Sequence, residues 1–402
     1  MKILVVCQYY YPEPFRISDV CEELVRRGHE VTVVTGIPNY PEGIIYIDYR
    51  MWKKRKEIIN GVSIRRCFTI ARRTGAIFRF LNYYSFAISS TLCVSKMKRQ
   101  YDVVFVNQLS PVMMACAGIH AKKKWNIPLV LYCLDLWPES LVAGGMSEKS
   151  FIFKLFKRIS KQIYTRADVI AITSKQFKNY FEDVLKVETT NMTHLPQYAE
   201  EIFAQVASEK REKDRYDFVF AGNIGEMQTV ETIIQAAKIL DKEELGSEIK
   251  IHIVGDGTKL EQCKKLALGL KNVEFYGRRP IEDMPRFYEM ADAMLLTLKD
   301  NKTISYTLPG KVQSYMAAGK PIIGSINGEA RDVIEDAKCG YCCEAENSTA
   351  LAELIKGFMD SNDNEQMGCR ARKYYEQYYQ KNIFIEKLEQ LLQETSDEDI
   401  ND

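Results

Sequence analysis

The chain alternates short runs of consecutive apolar residues with stretches in which apolar residues recur every three or four positions. The apolar run at 3–7 is typical of a central parallel strand that is covered on both faces, and further strands are predicted at 31–35, 102–107 and 128–133. The stretches between them have the period of amphipathic helices. The same alternation restarts at 218–221, with further predicted strands at 249–254, 273–276 and 291–298. The pattern therefore predicts an α/β protein of two doubly wound domains with parallel sheets.

The boundary between these domains is predicted where the apolar pattern stops. A segment around 194–198 followed by a charged run to Arg215 separates the two halves. We predict an N-terminal domain over 1–198, a C-terminal domain over 199–375 and a last segment over 376–402. A helix over about 370–392 is expected to return to the N-terminal domain across a cleft between two facing domains.

Charge is divided unevenly between the two halves. Residues 1–200 carry 29 Lys and Arg against 17 Asp and Glu, whereas residues 201–402 carry 26 against 37. The basic residues concentrate in a tract from Arg50 to Arg99, where they are interleaved with aromatic residues around a mostly apolar helix predicted at 77–95. Such a basic and aromatic segment favours contact with an anionic membrane surface. The alternative is a core helix with solvated basic neighbours. No nucleic-acid-binding module is recognisable, so nucleic acid is not expected as a partner.

Compartment and metal content follow from the cysteines and the N-terminus. The 11 cysteines are scattered without paired metal-ligand spacing, which favours reduced thiols in a cytoplasmic protein. The pattern of the first residues predicts a strand and not a signal peptide. No uncharged apolar run reaches the length of about 18 residues that a membrane span needs. We expect a cytoplasmic protein that is peripheral on the inner face of the cell membrane.

The loop after the first strand carries the first candidate binding residues. It lacks the Gly-x-Gly-x-x-Gly fingerprint, so we do not expect a dinucleotide there. It offers Tyr11, Glu13, Phe15 and Arg16 instead, a combination suited to orienting a sugar-like substrate. Amphipathic packing of the tyrosines is the alternative.

A second candidate lies after the strand predicted at 128–133. Asp135 and Glu139 follow the carboxyl end of this strand, where open α/β sheets bind their ligands. They are the candidate catalytic residues. The alternative is that Asp135 caps the following turn and Glu139 is solvated.

A third candidate is Lys311, in the first turn of a predicted short helix. Thr307 is a plausible N-cap, Pro309 suits a first-turn position, and Gly319 suits a left-handed C-cap. A cation in the first turn opposes the helix dipole, so it indicates an anion held by the ammonium and the free backbone N–H groups. A solvated lysine is the alternative.

Seven short motifs, in order along nearly the whole chain, resemble those of family 4 glycosyltransferases with the GT-B fold, in the branch that builds capsule, O-antigen and colanic-acid-type polysaccharides. These motifs are 28–33 (GHEVTV), 135–140 (DLWPES), 221–225 (AGNIG), 254–257 (VGDG), 272–277 (NVEFYG), 291–292 (AD) and 315–321 (YMAAGKP). The resemblance implies that the N-terminal domain binds the acceptor and associates with the membrane, and that the C-terminal domain binds the donor.

The resemblance also assigns roles to individual residues. Lys311, together with the backbone at Pro309 and Gly310, would grip the diphosphate of the donor. Gly222 and Gly225 would let the diphosphate approach the backbone, and Arg278 would border the base. Asn223, Gln228 and Ser314 occupy donor-site positions of the family.

The chain departs from the family pattern at the charged donor positions. The paired carboxylates of the family fall at Tyr306 and Ser314, and its cationic pair falls near Asn223 and Gln228. We hypothesise that Glu329 replaces the missing carboxylate at the ribose.

The implied activity is retaining transfer of a sugar from a nucleotide-diphosphate sugar to a lipid-linked saccharide. A UDP-linked donor is expected, with an N-acetylated amino sugar as one option, and no cofactor or metal. Two alternatives stay open: a sugar-nucleotide epimerase of the same architecture, and a non-catalytic sugar-nucleotide-binding partner of a membrane assembly.

Overall fold

The computed structural model describes residues 1–73, 75–143, 146–206 and 214–398. The chain forms two compact units. Unit 1 contains Met1–Thr173, Phe177–Leu195 and Ile385–Asp402, and unit 2 contains Ser174–Gln176 and Pro196–Phe384. The predicted boundary at 198 lies close to the division after Leu195, whereas unit 2 continues past the predicted boundary at 375 to Phe384. The roles predicted for the domains stay predictions.

Unit 1 is built on an eight-stranded sheet in the order β3-β4-β2-β1-β5-β6-β7-β8. Its strands are β1 (Lys2–Val6), β2 (Glu30–Thr35), β3 (Lys56–Ile59), β4 (Val62–Arg66), β5 (Val103–Gln108), β6 (Leu129–Cys133), β7 (Val169–Ile172) and β8 (Met192–His194). All neighbours pair in parallel except β3, which runs antiparallel to β4. Strands β5 and β6 are buried at every position, as expected for strands covered on both faces.

Helices connect and cover this sheet. They are α1 (Ile17–Arg26), α2 (Ala76–Ser95), α3 (Cys116–Trp125), α4 (Glu139–Ala143), α5 (Phe151–Tyr164) and α6 (Phe177–Tyr180). Short 3₁₀ segments occur at Ile47–Trp52 and Val112–Ala115, and a π turn occurs at Phe181–Leu185. The helix predicted at 77–95 is confirmed as α2.

Unit 2 is built on a six-stranded, fully parallel sheet in the order β11-β10-β9-β12-β13-β14. Its strands are β9 (Tyr216–Ala221), β10 (Ile249–Val254), β11 (Val273–Gly277), β12 (Ala293–Thr297), β13 (Ile322–Ser325) and β14 (Gly340–Cys343). The predicted α/β class and both doubly wound sheets are confirmed.

The helices of the second half are α7 (Glu201–Ala204), α8 (Val230–Lys242), α9 (Leu260–Leu266), α10 (Met284–Met290), α11 (Lys302–Ser305), α12 (Gly310–Ala317), α13 (Glu329–Asp336), α14 (Ser348–Met359), α15 (Asn364–Tyr378) and α16 (Lys381–Glu398). Short 3₁₀ segments occur at Leu245–Ser247 and Ile281–Asp283.

The prediction of one continuous helix over 370–392 is wrong. Helix α15 ends at Tyr378 and α16 begins at Lys381. The chain turns at Tyr379, whose side chain is buried and whose carbonyl accepts the backbone N–H of Ala199. This tertiary contact, which the helical period does not encode, is incompatible with a continuous helix. Within unit 1, Glu389 of α16 contacts Arg27 and His29, at 3.1 Å and 2.7 Å.

The basic tract is not uniform. Part of it forms the β3–β4 hairpin, in which the Arg66 side chain is 1 % exposed and pairs with Glu57 at 2.6 Å. Its guanidinium also donates to the carbonyl of Tyr11 and lies over the ring of Tyr49. Arg66 therefore faces the interior of unit 1 and not a surface.

Over the described part of the chain, no helix combines the length and the apolar character needed to cross a membrane.

Candidate functional site

In unit 2 a short helix and a glycine turn are locked together. Helix α12 begins at Gly310 beside the end of β9. The hydroxyl of Tyr315, a fully buried residue, accepts the backbone N–H of Ala221 and donates to its carbonyl, both at 3.2 Å. Because Ala221 is the last residue of β9, these two bonds fix the first turns of α12 against the turn that starts at Gly222.

The Lys311 side chain extends from α12 over that turn. Its Nζ lies 3.9 Å from the ring centroid of Phe220. A Cβ built on Gly222 would lie 2.9 Å from the same Nζ and closer still to Cε, and the φ of Gly222 is +140°. A side chain at this position would therefore be strained and would displace the lysine, so the arrangement requires glycine.

The ammonium of Lys311 contacts the ring of Phe220 but no polar group of the described residues. Its Nζ is inaccessible to solvent, and no group in the described residues forms a hydrogen bond with it. Burial lowers the pKa of Lys311 to about 7, because desolvation disfavours the charged form. The alternative of a solvated lysine is thus wrong. A buried cation without a partner, close to the N-terminus of α12, is suited to an anion.

Two further glycines allow the backbone beside this site to pack closely. Gly255 and Gly257 follow β10, with φ values of +147° and +159°. A Cβ at Gly255 would collide with the carbonyl oxygen of Gly222, and one at Gly257 with that of Ile224. The backbone of the turn therefore packs directly on the neighbouring loop, in a way that the motif 254–257 allows and bulkier residues would not.

Other residues predicted for the donor site bond mainly with each other. The Nδ2 of Asn223 donates to the Oε1 of Gln228 at 3.0 Å, and a Cβ at Gly225 would lie 3.0 Å from that oxygen. The hydroxyl of Ser314 donates to the carbonyl of Gly310 at 3.0 Å. Arg278 is exposed after β11. These contacts place the residues around the turn, and their roles toward a donor stay predictions.

Glu329 is held by backbone N–H groups. It is buried in the first turn of α13, and its two carboxylate oxygens accept from Lys175 and Gln176, each at 3.1 Å. Burial raises the pKa of Glu329, and these two N–H bonds oppose the shift. The hypothesis that it binds a ribose requires a further hydrogen bond at a carboxylate that is already engaged.

The predicted N-cap of α12 is wrong. Pro309, and not Thr307, occupies the N-cap position, and the Thr307 hydroxyl donates to the carbonyl of Ile304 at 2.8 Å. The first turn of α12 therefore has no side-chain cap. The C-terminal end follows the prediction, since Gly319 has a φ of +64°.

In unit 1, Glu13 ties two loops together. Its Oε1 accepts the backbone N–H groups of Asn39 and Tyr40, each at 2.8 Å, and its Oε2 accepts that of Tyr10 at 3.3 Å. The residue is 3 % exposed. Burial raises the pKa of Glu13 to about 7, opposed by these N–H bonds. The carboxylate holds the loops after β1 and β2 in place, and its predicted contact with an acceptor stays a prediction.

The aromatic residues of these loops form a cluster. The rings of Tyr9 and Phe15 are stacked at 5.0 Å, and Tyr40 lies 5.5 Å and 5.2 Å from them. Tyr11 is exposed, and Arg16 directly precedes α1. Phe15 therefore takes part in the packing expected of amphipathic aromatics, and Tyr11 presents its ring to solvent.

Asp135 lies at the same edge of the sheet, after β6. Its Oδ2 accepts the backbone N–H of Ser110 at 3.1 Å, and its carbonyl accepts the side-chain amide of Gln108 at 3.2 Å. Burial raises the pKa of Asp135, while Ser110 and the positive charge of Arg72 oppose that shift. Asp135 contacts the neighbouring β5 loop and does not cap its own turn.

Glu139 occupies a different environment. It is 5 % exposed in α4, and its Oε1 accepts from the hydroxyl of Tyr180 at 3.1 Å. Burial raises the pKa of Glu139. The alternative of a solvated Glu139 is wrong, and its carboxylate is engaged within unit 1.

Arg72 belongs to the basic tract that the sequence predicts to be a surface, but the structure places it with the loops around Asp135 in unit 1. It lies in the loop after β4, and Asn39 Oδ1 accepts its backbone N–H at 2.8 Å. Its guanidinium lies 5.9 Å from the ring centroid of Tyr83. No local pattern distinguishes Arg72 from its basic neighbours in the sequence, because the strand that precedes it was not predicted.

Where the structure describes the chain, no group of three or more His, Cys, Asp or Glu side chains is arranged to hold a metal ion. The expectation of a reaction without a metal cofactor stays a prediction.

Comparisons with known proteins agree with this architecture. Residues 15–197 match the glycosyl transferase 4-like domain, and residues 201–374 match the glycosyl transferases group 1 family. WbjE of Pseudomonas aeruginosa, named as a glycosyltransferase, is 26 % identical over 278 residues, which are 66 % of this chain and 67 % of WbjE. WcaI of Escherichia coli strain K12, named as a colanic acid biosynthesis glycosyl transferase, is 25 % identical over 339 residues, 79 % of this chain and 82 % of WcaI.

A solved structure shows the same fold. Anabaena HepE, crystallised in complex with UDP, superposes with a TM-score of 0.69 at 14 % identity, over 98 % of this chain and 100 % of HepE. At this identity the likeness establishes the fold alone. With two matched family domains that together span most of its length, and two parallel-sheet units of the GT-B type, the chain belongs to the family 4 glycosyltransferases and is a transferase enzyme.

Proposed function

We propose that the protein transfers a sugar, with retention of configuration, from a nucleotide-diphosphate sugar to a lipid-linked saccharide in the synthesis of a bacterial surface polysaccharide such as a capsule or O-antigen. The observation that carries the donor half of this proposal is the unpartnered, buried ammonium of Lys311 at the turn that begins with Gly222. A departing nucleoside diphosphate supplies the negative charge that this ammonium lacks.

Lys311 and the first turn of α12 would stabilise the leaving group. The N-terminus of α12 carries backbone N–H groups without a side-chain cap, so a phosphate can accept from them. Stabilisation of the group on which charge develops commonly accelerates enzymatic group transfer more than any other single effect. A UDP-linked donor is supported by the UDP found in the HepE structure. An N-acetylated amino sugar is one option for the sugar transferred.

Asp135 would act on the acceptor side. In the proposed reaction the sugar passes through a cation-like state, and a carboxylate near the reacting carbon stabilises it or orients the attacking hydroxyl. The partly buried Asp135, held by Ser110 at 3.1 Å, suits this role. The name of WcaI, which refers to colanic acid biosynthesis, supports a saccharide acceptor in polysaccharide synthesis.

We further propose that the enzyme works as a peripheral protein on the inner face of the cell membrane, where a lipid-linked acceptor is found. The exposed basic residues around α2, among them Arg73 and Arg79, support attraction to anionic lipid.

The purified protein and radiolabelled UDP-sugars test the activity. We expect label to move to a short-chain polyprenyl-diphosphate-linked sugar, with and without a metal chelator. Conversion of the donor to its epimer in place of transfer would favour the epimerase, and binding without turnover would favour the non-catalytic partner. A requirement for a divalent ion would contradict the metal-free part of the proposal.

Asp135→Asn tests the acceptor side. This change keeps the shape of the side chain and removes its charge, so we expect an unchanged affinity for UDP and a fall in turnover of roughly 100-fold, the scale of a lost electrostatic stabiliser. Glu139→Gln in the same segment is the comparison, and its effect should be smaller because that carboxylate faces Tyr180. Wild-type turnover in a folded Asp135→Asn protein would exclude Asp135 from the mechanism.

A further inference from the structure

Arg72 reaches the candidate acceptor site from a loop that the fold holds rigidly. The loop follows β4, and the parallel order β4-β2-β1-β5-β6 brings its start to the same sheet edge as the loops of Tyr9, Asn39 and Asp135. Two side chains of α2 hold its backbone. Asn82 donates to the carbonyl of Ile70 at 2.6 Å, and Ser85 accepts the backbone N–H of Ile70 at 2.9 Å. The backbone N–H of Arg72 itself donates to Asn39 Oδ1, so the backbone from which the guanidinium extends is well defined.

A chain of aromatic contacts connects Arg72 to the Asp135 loop. The guanidinium lies over Tyr83 at 5.9 Å, and Tyr83 meets Trp137 edge-on at 6.0 Å. Trp137 is two residues beyond Asp135 and fully buried. The positive charge of Arg72 is felt at Asp135, where it opposes the rise in pKa caused by burial. Arg72 and Asp135 therefore border one region of unit 1.

The guanidinium meets neutral hydroxyl groups there, and it shares a hydrogen bond with that of Tyr9. Among the residues that the structure describes, no carboxylate forms an ion pair with Arg72, in contrast to Arg66, which pairs with Glu57 at 2.6 Å. An arginine carries five N–H donors in a planar fork that matches the two oxygens of a phosphate or a carboxylate. Partly buried among aromatic rings, it loses hydration that an anionic ligand would replace.

We propose that Arg72 is an acceptor-binding residue that holds an anionic group of the acceptor next to Asp135. The proposal deepens and rests on the proposed glycosyl transfer, and it makes the acceptor a negatively charged one. The anion is either a phosphate of the lipid linker or the carboxylate of an acidic sugar. Both present two oxygens to the same guanidinium while a hydroxyl of the acceptor faces Asp135.

Binding of three acceptors to the full-length protein, measured by calorimetry without donor, tests this. The acceptors are a short-chain polyprenyl-diphosphate-linked neutral sugar, the alkyl glycoside of the same sugar, and an alkyl glycoside of a uronic acid. For Arg72→Met we expect the Kd of one anionic acceptor to rise about 10- to 100-fold, the range for a lost charge-assisted hydrogen bond. The neutral glycoside should bind as it does to the wild type. If only the diphosphate-linked acceptor loses affinity, the anion that Arg72 holds is a phosphate of the lipid linker. If only the uronic acid glycoside loses affinity, the anion is the carboxylate of the sugar.

Matched variants separate this role from general effects of charge or folding. Arg73→Met removes the neighbouring exposed arginine, which lies 5.7 Å from the ring of Phe78, and should leave all three affinities unchanged. Arg72→Lys keeps the positive charge but lacks the planar N–H donors of the guanidinium. Its loss of affinity for the anionic acceptor should therefore be intermediate. Equal loss for anionic and neutral acceptors, or equal loss in Arg73→Met, would overturn the proposal.

A kinetic measurement keeps this proposal distinct from the proposed function. Arg72→Met should raise the KM for the anionic acceptor much more than it changes the slow hydrolysis of the donor with water as acceptor. If Arg72 only adjusted Asp135, hydrolysis and transfer to every acceptor would fall together. A wild-type protein that binds the acceptors but transfers nothing would count against the proposed function, and the binding comparison would still decide the role of Arg72.

Discussion

At the scale of single residues, the donor site depends on a lysine whose burial in the folded protein costs free energy. Desolvation of its ammonium, which has no hydrogen-bonding partner among the described residues, lowers the pKa of Lys311 to about 7, whereas an unfolded lysine titrates at about 10.4. The unfolded chain therefore binds more protons than the folded one between these two values. It follows that the stability of the ligand-free protein rises with pH from about 7 to about 10. Below pH 7 the protein bears the full free-energy cost of burying the charged ammonium.

Lys311→Met tests this balance between stability and binding. Because it removes a buried charge without a partner, we expect the variant to unfold at a higher temperature than the wild type at pH 7. The difference in unfolding temperature between the variant and the wild type should decrease as the pH rises toward 10. The variant should bind UDP more weakly by about 1.5–3 kcal/mol, the scale of a charge-assisted hydrogen bond.

The pH dependence of UDP binding gives a second measure of the same residue. Above the pKa of about 7 the wild type must take up a proton to bind, so its affinity should fall by up to about tenfold per pH unit. Lys311→Met should show no such slope. The exposed Lys302 provides the control, since Lys302→Met should change neither stability nor binding. Wild-type affinity for UDP in Lys311→Met would contradict the donor-site assignment.

At the scale of elements, the donor site depends on the register between α12 and β9. The two hydrogen bonds from the Tyr315 hydroxyl to Ala221 set the height of Lys311 above Gly222. Tyr288 packs edge-on against Tyr315 at 5.4 Å, so the ring is fixed as well as the hydroxyl. Helix α12 is only eight residues long, too short to be stable without tertiary contacts.

Tyr315→Phe is therefore expected to weaken UDP binding severalfold, because it loosens the contact that positions Lys311. It should also lower the free energy of unfolding by about 1–3 kcal/mol, because the backbone groups of Ala221 lose a buried partner. Tyr216→Phe, at the other end of β9, removes the hydrogen bond to the Met359 carbonyl and serves as the control. It should reduce stability without changing UDP affinity. If Tyr315→Phe and Tyr216→Phe changed the affinity for UDP equally, the register of α12 against β9 would have no role in UDP binding.

Local sequence patterns predicted most elements. Apolar runs identified β1, β5 and β6, since strands buried on both faces need few polar positions. Glycines with positive φ, such as Gly319, marked the ends of helices. The β3–β4 hairpin was missed because its basic residues resemble a surface tract, and the break between α15 and α16 depends on a contact of Tyr379 with a residue 180 positions away.

The candidate site was predictable only in part, for a related reason. Lys311 stood out because a cation in the first turn of a helix conflicts with the helix dipole. Arg72 and Arg66 had no such local conflict, and only the packing of α2 and β3 shows that they face inward. Glu13, Glu139 and Glu329 were recognised as candidates, but their backbone or tyrosine partners come from distant segments that no local pattern specifies.

At the scale of the whole molecule, charge and exposed apolar surface coincide on unit 1. Helix α2 exposes an apolar stripe at helical spacing, formed by Ile77, Leu81, Tyr84, Ile88 and Leu92. Helix α5 adds Phe151, Ile152 and Leu155, and the stacking of Phe80 on Phe156 at 5.6 Å joins the two helices. Exposed basic residues at 53–56, 73, 79, 96 and 98 surround or extend this surface. Apolar residues with basic neighbours are the combination expected of an interfacial segment.

This surface predicts that the protein co-sediments with anionic vesicles and is released as the salt concentration rises. Each basic residue near such a surface contributes about 1 kcal/mol, so replacing Arg73, Arg79, Lys96 and Lys98 with alanine should abolish most of the binding. The matched control replaces four exposed lysines of unit 2, Lys242, Lys264, Lys265 and Lys271, which changes the net charge equally. It should leave vesicle binding unchanged.

The apolar stripe and the inward arginines refine this prediction. Ile88→Asp and Leu92→Asp should weaken binding at every salt concentration, because burial of apolar surface is not screened as charge attraction is. Arg66→Met and Arg72→Met should leave vesicle binding as it is, provided that the proteins stay folded, since Arg66 is enclosed by Glu57 and Tyr49 and Arg72 faces Tyr83. Equal binding of the wild type to neutral and anionic vesicles would refute the electrostatic part. Loss of binding in Arg72→Met would assign that residue to the membrane and remove the structural reason for placing it with the acceptor.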